Sequence, residues 1–284
     1  FNNSGDDALL KAVIDSIRKE KEDIKILVLS RKPKDTMQEH NVFSINRYNF
    51  FTIIRYFRRS RVFINGGGSI IQDITSTQSL IYYTVMLKVA KACGLKLMIY
   101  ANGIGPITKK YNEARARNAL SICDYISLRE PQSLNEIKRL HVRNKNINLS
   151  VDPVFAIDID DITKIDNIIR IENIDINKNY FVVSCRSWKY NEDNFVKKMA
   201  YVINKVNKKY NIIPMYVPMH PNDSNILREI ANKSNTEHVF LSKVYDVKKL
   251  LSIISISKLT ISMRLHTLIY SVSSNLPVIG LVYD

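Results

Sequence analysis

Ser79–Pro106, SLIYYTVMLKVAKACGLKLMIYANGIGP, contains one complete helix–strand repeat. Ser79–Cys93 carries apolar residues at helical spacing, and Gly94 stands where a helix C-terminus takes a glycine. Leu95–Tyr100 follows as an apolar run of strand length. The glycine-containing loop Ala101-Asn102-Gly103-Ile104-Gly105-Pro106 then leaves the strand's carboxyl end. A helix feeding a two-face-buried strand that opens into a loop is the repeat of an α/β protein with parallel sheets.

The repeat extends in both directions. Upstream, Ile24–Leu29 and Val62–Ile64 read as strands, and Asp6–Glu20 and Asn49–Arg59 as helices. Downstream come helix Asn112–Ile122, strand Tyr125–Leu128, helix Gln132–Leu140 and a short strand leading to Val151. The stretch Ile157–Lys178 alternates Ile with Asp and Asn and reads as a connection. The pattern then restarts, with strands at Tyr180–Cys185, Ile212–Val217, Val239–Leu241, Leu259–Ile261 and Val278–Val282. Helices are expected at Asn194–Lys208, Asp223–Ser234, Val247–Ser255 and Leu265–Ser273. The expected organisation is therefore a Rossmann-like domain over residues 1–156, a linker over 157–178 and a second Rossmann-like domain over 179–284. Two such domains would face a cleft, and ligands of open α/β sheets lie beyond the strands' carboxyl ends. Both ends read as cut: no strand precedes the first helix, and the last strand is running out at Asp284.

Composition narrows the function classes. The 284 residues are 45% hydrophobic and 24% charged, which is ordinary soluble globular usage and argues against disorder or fibrous structure. No run reaches the roughly 18–20 apolar residues of a spanning helix; Leu80–Leu87 is stopped by Lys88. Cys93, Cys123 and Cys185 lie far apart, so neither a disulfide framework nor a thiolate metal site is indicated, and a cytoplasmic setting is expected. A formal charge of +15 favours anionic partners, although Lys is spread throughout and marks no single face.

The expected strand ends carry the candidate chemistry. Asn2-Asn3-Ser4-Gly5-Asp6 opens a helix and offers amides to an anion or sugar; a plain N-cap is the simpler alternative. Asn65-Gly66-Gly67-Gly68-Ser69 permits close backbone approach, with Ser69, Gln72 and Asp73 as hydrogen-bonding groups. It is neither a P-loop nor a dinucleotide fingerprint. Asn102 and Gly103 belong to the next loop, and Arg129 ends another strand, where a guanidinium can fork onto carboxylate or phosphate. In the second half, Arg186 precedes the single tryptophan, Trp188, and His220 lies between prolines. Sharpest is Thr260–Thr267, TISMRLHT, which sets Arg264, Leu265 and His266 at a strand-to-helix turn. A helix N-terminus favours anions, Arg264 adds bidentate recognition, and His266 exchanges a proton near neutral pH.

FNNSGDDALL, FINGGGSIIQD, ANGIGP, SLREPQS, VDPVF, SCRSW, VPMHP, ISMRLHTLIYS and PVIGLVYD occur in this order from Phe1 to Asp284. Together they resemble the polysaccharide pyruvyl transferase family, particularly its bacterial cell-wall (CsaB-like) branch. The resemblance implies a GT-B-like α/β fold of two Rossmann-type domains with mainly parallel sheets. It also implies transfer of a pyruvyl group from phosphoenolpyruvate to a sugar, with ketal formation and phosphate release. In the cell-wall branch the acceptor is N-acetylmannosamine on a lipid-diphosphate-linked saccharide, and the product polymer anchors S-layer proteins. The Arg-Leu-His turn of the family is associated with donor binding and catalysis, matching Arg264, Leu265 and His266. The family pattern continues past Tyr283-Asp284 into Pro-Lys, a lysine linked to activity; this sequence stops at Asp284.

Phosphoenolpyruvate carries a carboxylate and a phosphate, so its site needs clustered cations and helix-end amides. His266 is the expected acid and Arg264 the expected clamp, with Arg129, Arg186 and His220 also on the donor side. Asn2, Asn3, Gly5, Asp6, Gly67, Gly68, Ser69, Gln72, Asp73, Asn102 and Gly103 are expected to hold the acceptor. No metal or cofactor is called for. A GT-B glycosyltransferase using a nucleotide sugar is the competing enzyme reading. A basic nucleic-acid module is the non-enzymatic one, and no nucleic-acid partner is expected. Asn49–Arg61, NFFTIIRYFRRSR, combines aromatics with arginines and is expected either to meet an anionic membrane surface or to pack its aromatics on the sheet.

Overall fold

The computed structural model describes residues 4–158, 162–188 and 192–282. They form two compact units, each with its own core.

The first unit comprises Leu9–Pro153. In chain order its elements are α1 (Ser4–Glu20, entering from the second unit), β1 (Leu27–Ser30), α2 (Pro33–His40), β2 (Phe43–Asn46), α3 (Phe50–Phe57) and β3 (Val62–Gly66). There follow α4 (Thr77–Ala92), β4 (Lys96–Asn102), α5 (Lys110–Ser121), β5 (Tyr125–Leu128), α6 (Pro131–Arg139) and β6 (Ile147–Leu149). Strands β3-β4-β5-β6 pair in that order, all parallel, and β1 pairs parallel with β2. The helix–strand repeat at α4–β4 shows why. Ser76 caps α4 by accepting a hydrogen bond from Ser79 N at 3.2 Å, and Gly94 ends the turn at φ +87°. Leu80, Thr84, Leu87 and Ala90 line the buried face of α4, while alternate residues Leu97, Ile99 and Ala101 of β4 are buried.

The second unit runs from Val154 onward and also takes Ser4–Ala8, the first turn of α1. Its elements are two 3-10 turns (Pro153–Ala156, shared with the first unit, and Ile162–Ile165), α7 (Asp166–Ile171), β7 (Tyr180–Ser184), α8 (Glu192–Tyr210) and β8 (Ile213–Tyr216). They continue with α9 (Asp223–Lys233), β9 (Val239–Phe240), α10 (Val247–Ser255), β10 (Ser257–Ser262), α11 (Leu265–Ser273) and β11 (Val278–Gly280). The sheet is parallel in the order β11-β10-β7-β8-β9. Chain order therefore reverses between β7 and β10, and their carboxyl ends, Ser184 and Ser262, flank the switch point where α/β sheets bind ligands.

Two boundaries differ from the sequence reading. The first turn of α1 belongs with the second unit, because Ser4 N donates to Met219 O at 3.0 Å and Ser4 Oγ meets Tyr270 Oη at 3.0 Å. The stretch expected as a linker is part of the second unit's body. Ile165, Ile168 and Ile174 are buried, and the carboxylate of Glu172 accepts hydrogen bonds from Ser242 N at 2.9 Å, Ser242 Oγ at 2.6 Å and Tyr245 Oη.

Candidate functional site

The site of the second unit is built on three parallel strand ends. Ser184, closing β7, is fully buried and donates its hydroxyl to Val217 O at 2.8 Å, which ties β7 to the segment after β8. Ser262, closing β10, meets Ser184 O through its Oγ at 3.1 Å and accepts from Arg264 N at 2.8 Å. These bonds fix the turn carrying Arg264 before any ligand arrives. Arg264 is the N-cap residue of α11 and supplies no side-chain cap, so its guanidinium is available elsewhere.

That guanidinium meets Asp223, the first residue of α9, which is 1% exposed. Arg264 Nε donates to Asp223 Oδ2 at 3.0 Å, and Nη2 donates to Oδ1. The same carboxylate accepts the backbone N–H groups of Met219 at 3.2 Å and His220 at 3.0 Å. Asp223 thus takes one edge of the planar fork, and the Nη1 edge retains donors for an anion. Sequence reading missed Asp223. The available signal was an acidic residue three positions after His220, at a predicted helix start.

His266 lies in the first turn of α11, next to Gly5. A Cβ built on Gly5 would stand 2.4 Å from His266 Nδ1, so the imidazole rests against the first turn of α1. Two helix N-termini therefore flank His266 within this unit, an arrangement that favours a negative ligand. His220 is held separately: its Nδ1 accepts from Asn222 N at 3.1 Å. Arg186, beyond β7, places its guanidinium 5.5 Å from the centre of the Trp188 ring. Cys185, beside them, is no nucleophile. Burial, and then the charge of Asp223, pushes its thiol up to about 12.

Gly5 yields a structural test. Alanine is ordinarily better than glycine in a helix by about 1 kcal/mol. At this position the added methyl overlaps the imidazole, and overpacking of that kind costs about 1–3 kcal/mol. Gly5→Ala should lower the thermal midpoint by several degrees; a higher midpoint would mean that the close contact does not exist.

In the first unit the glycine loops converge. Gly67 and Gly68 adopt φ of +65° and +71°, Gly67 N donates to Tyr100 O at 2.9 Å, and Gly103 N donates to Gly68 O at 3.0 Å. A Cβ on Gly67 would approach Leu9 Cβ to 2.9 Å, and one on Gly103 would approach Ser69 Oγ to 2.4 Å, so both positions require glycine. Arg129 Nη2 donates to Ser69 Oγ at 3.0 Å and Nη1 to Asp152 Oδ2 at 2.8 Å. Arg129, expected with the donor cations, thus belongs to the glycine loops of its own unit. A β-bulge between Ile99 and Asn102, with Ala101 at φ +50°, re-aims Asn102. The Asn102 side chain is fully buried, and neither its Nδ2 nor its Oδ1 has a partner among the described residues.

Several expected acceptor residues have other tasks or other places. Both oxygens of Asp73 are engaged within the chain, by Thr108 N at 2.8 Å, Thr108 Oγ1 at 2.9 Å, Lys109 N at 3.0 Å and Asn112 Nδ2 at 2.8 Å. Burial opposes its ionisation, but these hydrogen bonds outweigh burial and hold its pKa at about 2. Asp73 is therefore a brace for the 106–112 loop. Gln72 is tied to Thr75, whose N–H donates to Gln72 Oε1 at 3.0 Å. Gly5, expected on the acceptor side of the first domain, sits on His266 in the second unit, and Asp6 follows it in the same turn. Asn2 and Asn3 lie outside the described residues.

Comparison with solved structures places this architecture. UDP-GlcNAc 2-epimerase from Neisseria meningitidis bound to UDP-GlcNAc is similar at a TM-score of 0.59 and 14% identity, over 99% of this chain and 81% of that one. The S. aureus MnaA–UDP structure is similar at 0.66 and 12%, over 100% and 78%. UDP-GlcNAc 2-epimerase from Methanocaldococcus jannaschii is similar at 0.63 and 12%, over 96% and 80%. At these identities the likeness shows the fold, which is GT-B-like. No curated protein matches the chain at a significant level. The sequence pattern of the polysaccharide pyruvyl transferases, in contrast, matches residues 3–284, taking in the Arg264–His266 turn and both glycine loops. The chain belongs to the polysaccharide pyruvyl transferase family, enzymes that transfer a pyruvyl group to a polysaccharide.

Proposed function

We propose that the donor is phosphoenolpyruvate, bound at the carboxyl end of the second unit's sheet, and that the product is a cyclic ketal on a sugar. The acceptor we assign is N-acetylmannosamine in a lipid-linked cell-wall precursor, held by the first unit's loops through Gly67, Gly68, Ser69, Asn102, Gly103 and Arg129. The observation that carries the reading is the pairing of an oriented guanidinium, Arg264 on Asp223, with His266 two residues on at a helix N-terminus.

The chemistry assigns a role to each group. His266 delivers a proton to the methylene carbon of the enol while a sugar hydroxyl oxygen bonds to C2. The C2–O bond to phosphate then breaks, and the second hydroxyl oxygen takes its place. Of the two hydroxyl protons, one replaces that lost from His266 and the other leaves with phosphate, so the enzyme ends unchanged. Arg264 and the α11 amides stabilise the charge gathering on the leaving phosphate. A nucleotide-sugar transferase would share this fold but release a nucleoside diphosphate. The deciding test is therefore which donor is consumed: inorganic phosphate from phosphoenolpyruvate supports the assignment, and nucleoside diphosphate release from a nucleotide sugar overturns it.

A further inference from the structure

Residues 40–72 contain no Asp or Glu, and residues 35–87 contain no Lys, although Lys is the commoner cation of this chain. The cations of this stretch are all arginine: Arg47, Arg55, Arg58, Arg59 and Arg61. Arg47 is used internally, its guanidinium 4.3 Å from the centre of the Tyr82 ring. The other four are exposed, and no hydrogen bond or ion pair engages their side chains among the described residues.

Helix α3 explains how this face is presented. Asn49 caps it by accepting from Thr52 N at 3.1 Å. Ile53 and Phe57 are buried and fasten it to the core, Phe57 lying 5.2 Å from Phe63 ring to ring. Part of the sequence's apolar surface thus packs on the sheet. The rest does not: Phe51 is 88% exposed and Phe50 45%. Phe51, Ile54, Arg55, Arg58 and Arg59 line one open groove of about 500 Å³. Among the described residues no helix is long and apolar enough to cross a membrane.

We infer that the outer face of α3 docks the first unit on an anionic phospholipid surface. Arginine forks fit phosphodiester oxygens better than lysine does, and unpaired arginines in an acid-free stretch suit only a negative partner. Phe51 and Ile54 stand beside them as apolar groups without polar tips, which suits the acyl boundary beneath the headgroups. The inference does not depend on the donor or acceptor chemistry.

Co-sedimentation with phosphatidylcholine vesicles, with and without phosphatidylglycerol, tests it. The wild type should bind the anionic vesicles and lose them in moderate salt. Changing Arg55, Arg58 and Arg59 together to Ser should weaken binding about fivefold per arginine, or about 10²-fold in all. Phe51→Ser should weaken it at unchanged charge. These side chains are exposed, so the variants should keep the wild-type thermal midpoint. Equal binding by the arginine variant at low salt would overturn the inference. So would an unaltered Phe51→Ser variant, or displacement from vesicles by a short RNA that binds the same arginines; the last outcome would assign the face to nucleic acid.

Discussion

His266→Ala should lower turnover by about 10²–10⁴-fold, the range expected for loss of a positioned acid–base group. The imidazole stands in the first turn of α11 against Gly5, while the fold of this turn is held elsewhere: Ser262 accepts Arg264 N, and the α11 face with Ile269 and Tyr270 is buried. The variant should therefore fold and bind donor, with the loss in kcat rather than in KM. Phosphate release at a near-normal rate would remove His266 from the chemistry.

Asp223 supplies the second large effect. Breaking a buried ion pair by removing one partner costs about 3–5 kcal/mol, because the remaining charge is left uncompensated. Asp223→Ala also strips acceptors from Met219 N and His220 N, so it should be strongly destabilised. Asp223→Asn is the informative variant. It keeps the volume and one acceptor, but its amide nitrogen confronts guanidinium donors. As a positioning residue, Asp223 should act through Arg264: Asp223→Asn and Arg264→Lys should each raise the KM for phosphoenolpyruvate by at least tenfold and alter kcat less. Arg264→Lys retains charge and loses the fork, which separates geometry from electrostatics. Donor saturation curves unchanged in both variants would place the pair outside the donor site.

The α/β class and nearly all central strands were legible because parallel strands such as Tyr180–Ser184, buried throughout, and Leu95–Tyr100, broken only by the exposed Lys96, are short and mainly apolar. Less legible were β2 and α2. Phe43–Asn46 is four residues with Phe43 exposed, and Pro33–His40 is a polar helix with only Thr36 buried. Helix α7 hid in the Ile/Asp alternation because it is six residues long and Ile168 is its one buried residue, with Ile165 buried just before it as the N-cap. The Arg264–His266 turn could be read from its place between a strand and a helix. Its partners could not, since Asp223 and Gly5 reach it only through the tertiary fold. Likewise Asp73 looked like a ligand group in sequence, and only the 106–112 loop shows where its oxygens go.

Phosphoenolpyruvate as donor and a ketal as product, both proposed above, can be followed in one reaction. The direct measurement incubates the protein with phosphoenolpyruvate and a lipid-linked saccharide ending in N-acetylmannosamine, following phosphate and product mass together. The expected result is one phosphate released per saccharide gaining the mass of pyruvic acid less one water, with both signals lost in His266→Ala. Phosphate release without that gain, or a gain that needs a nucleotide sugar, would contradict it.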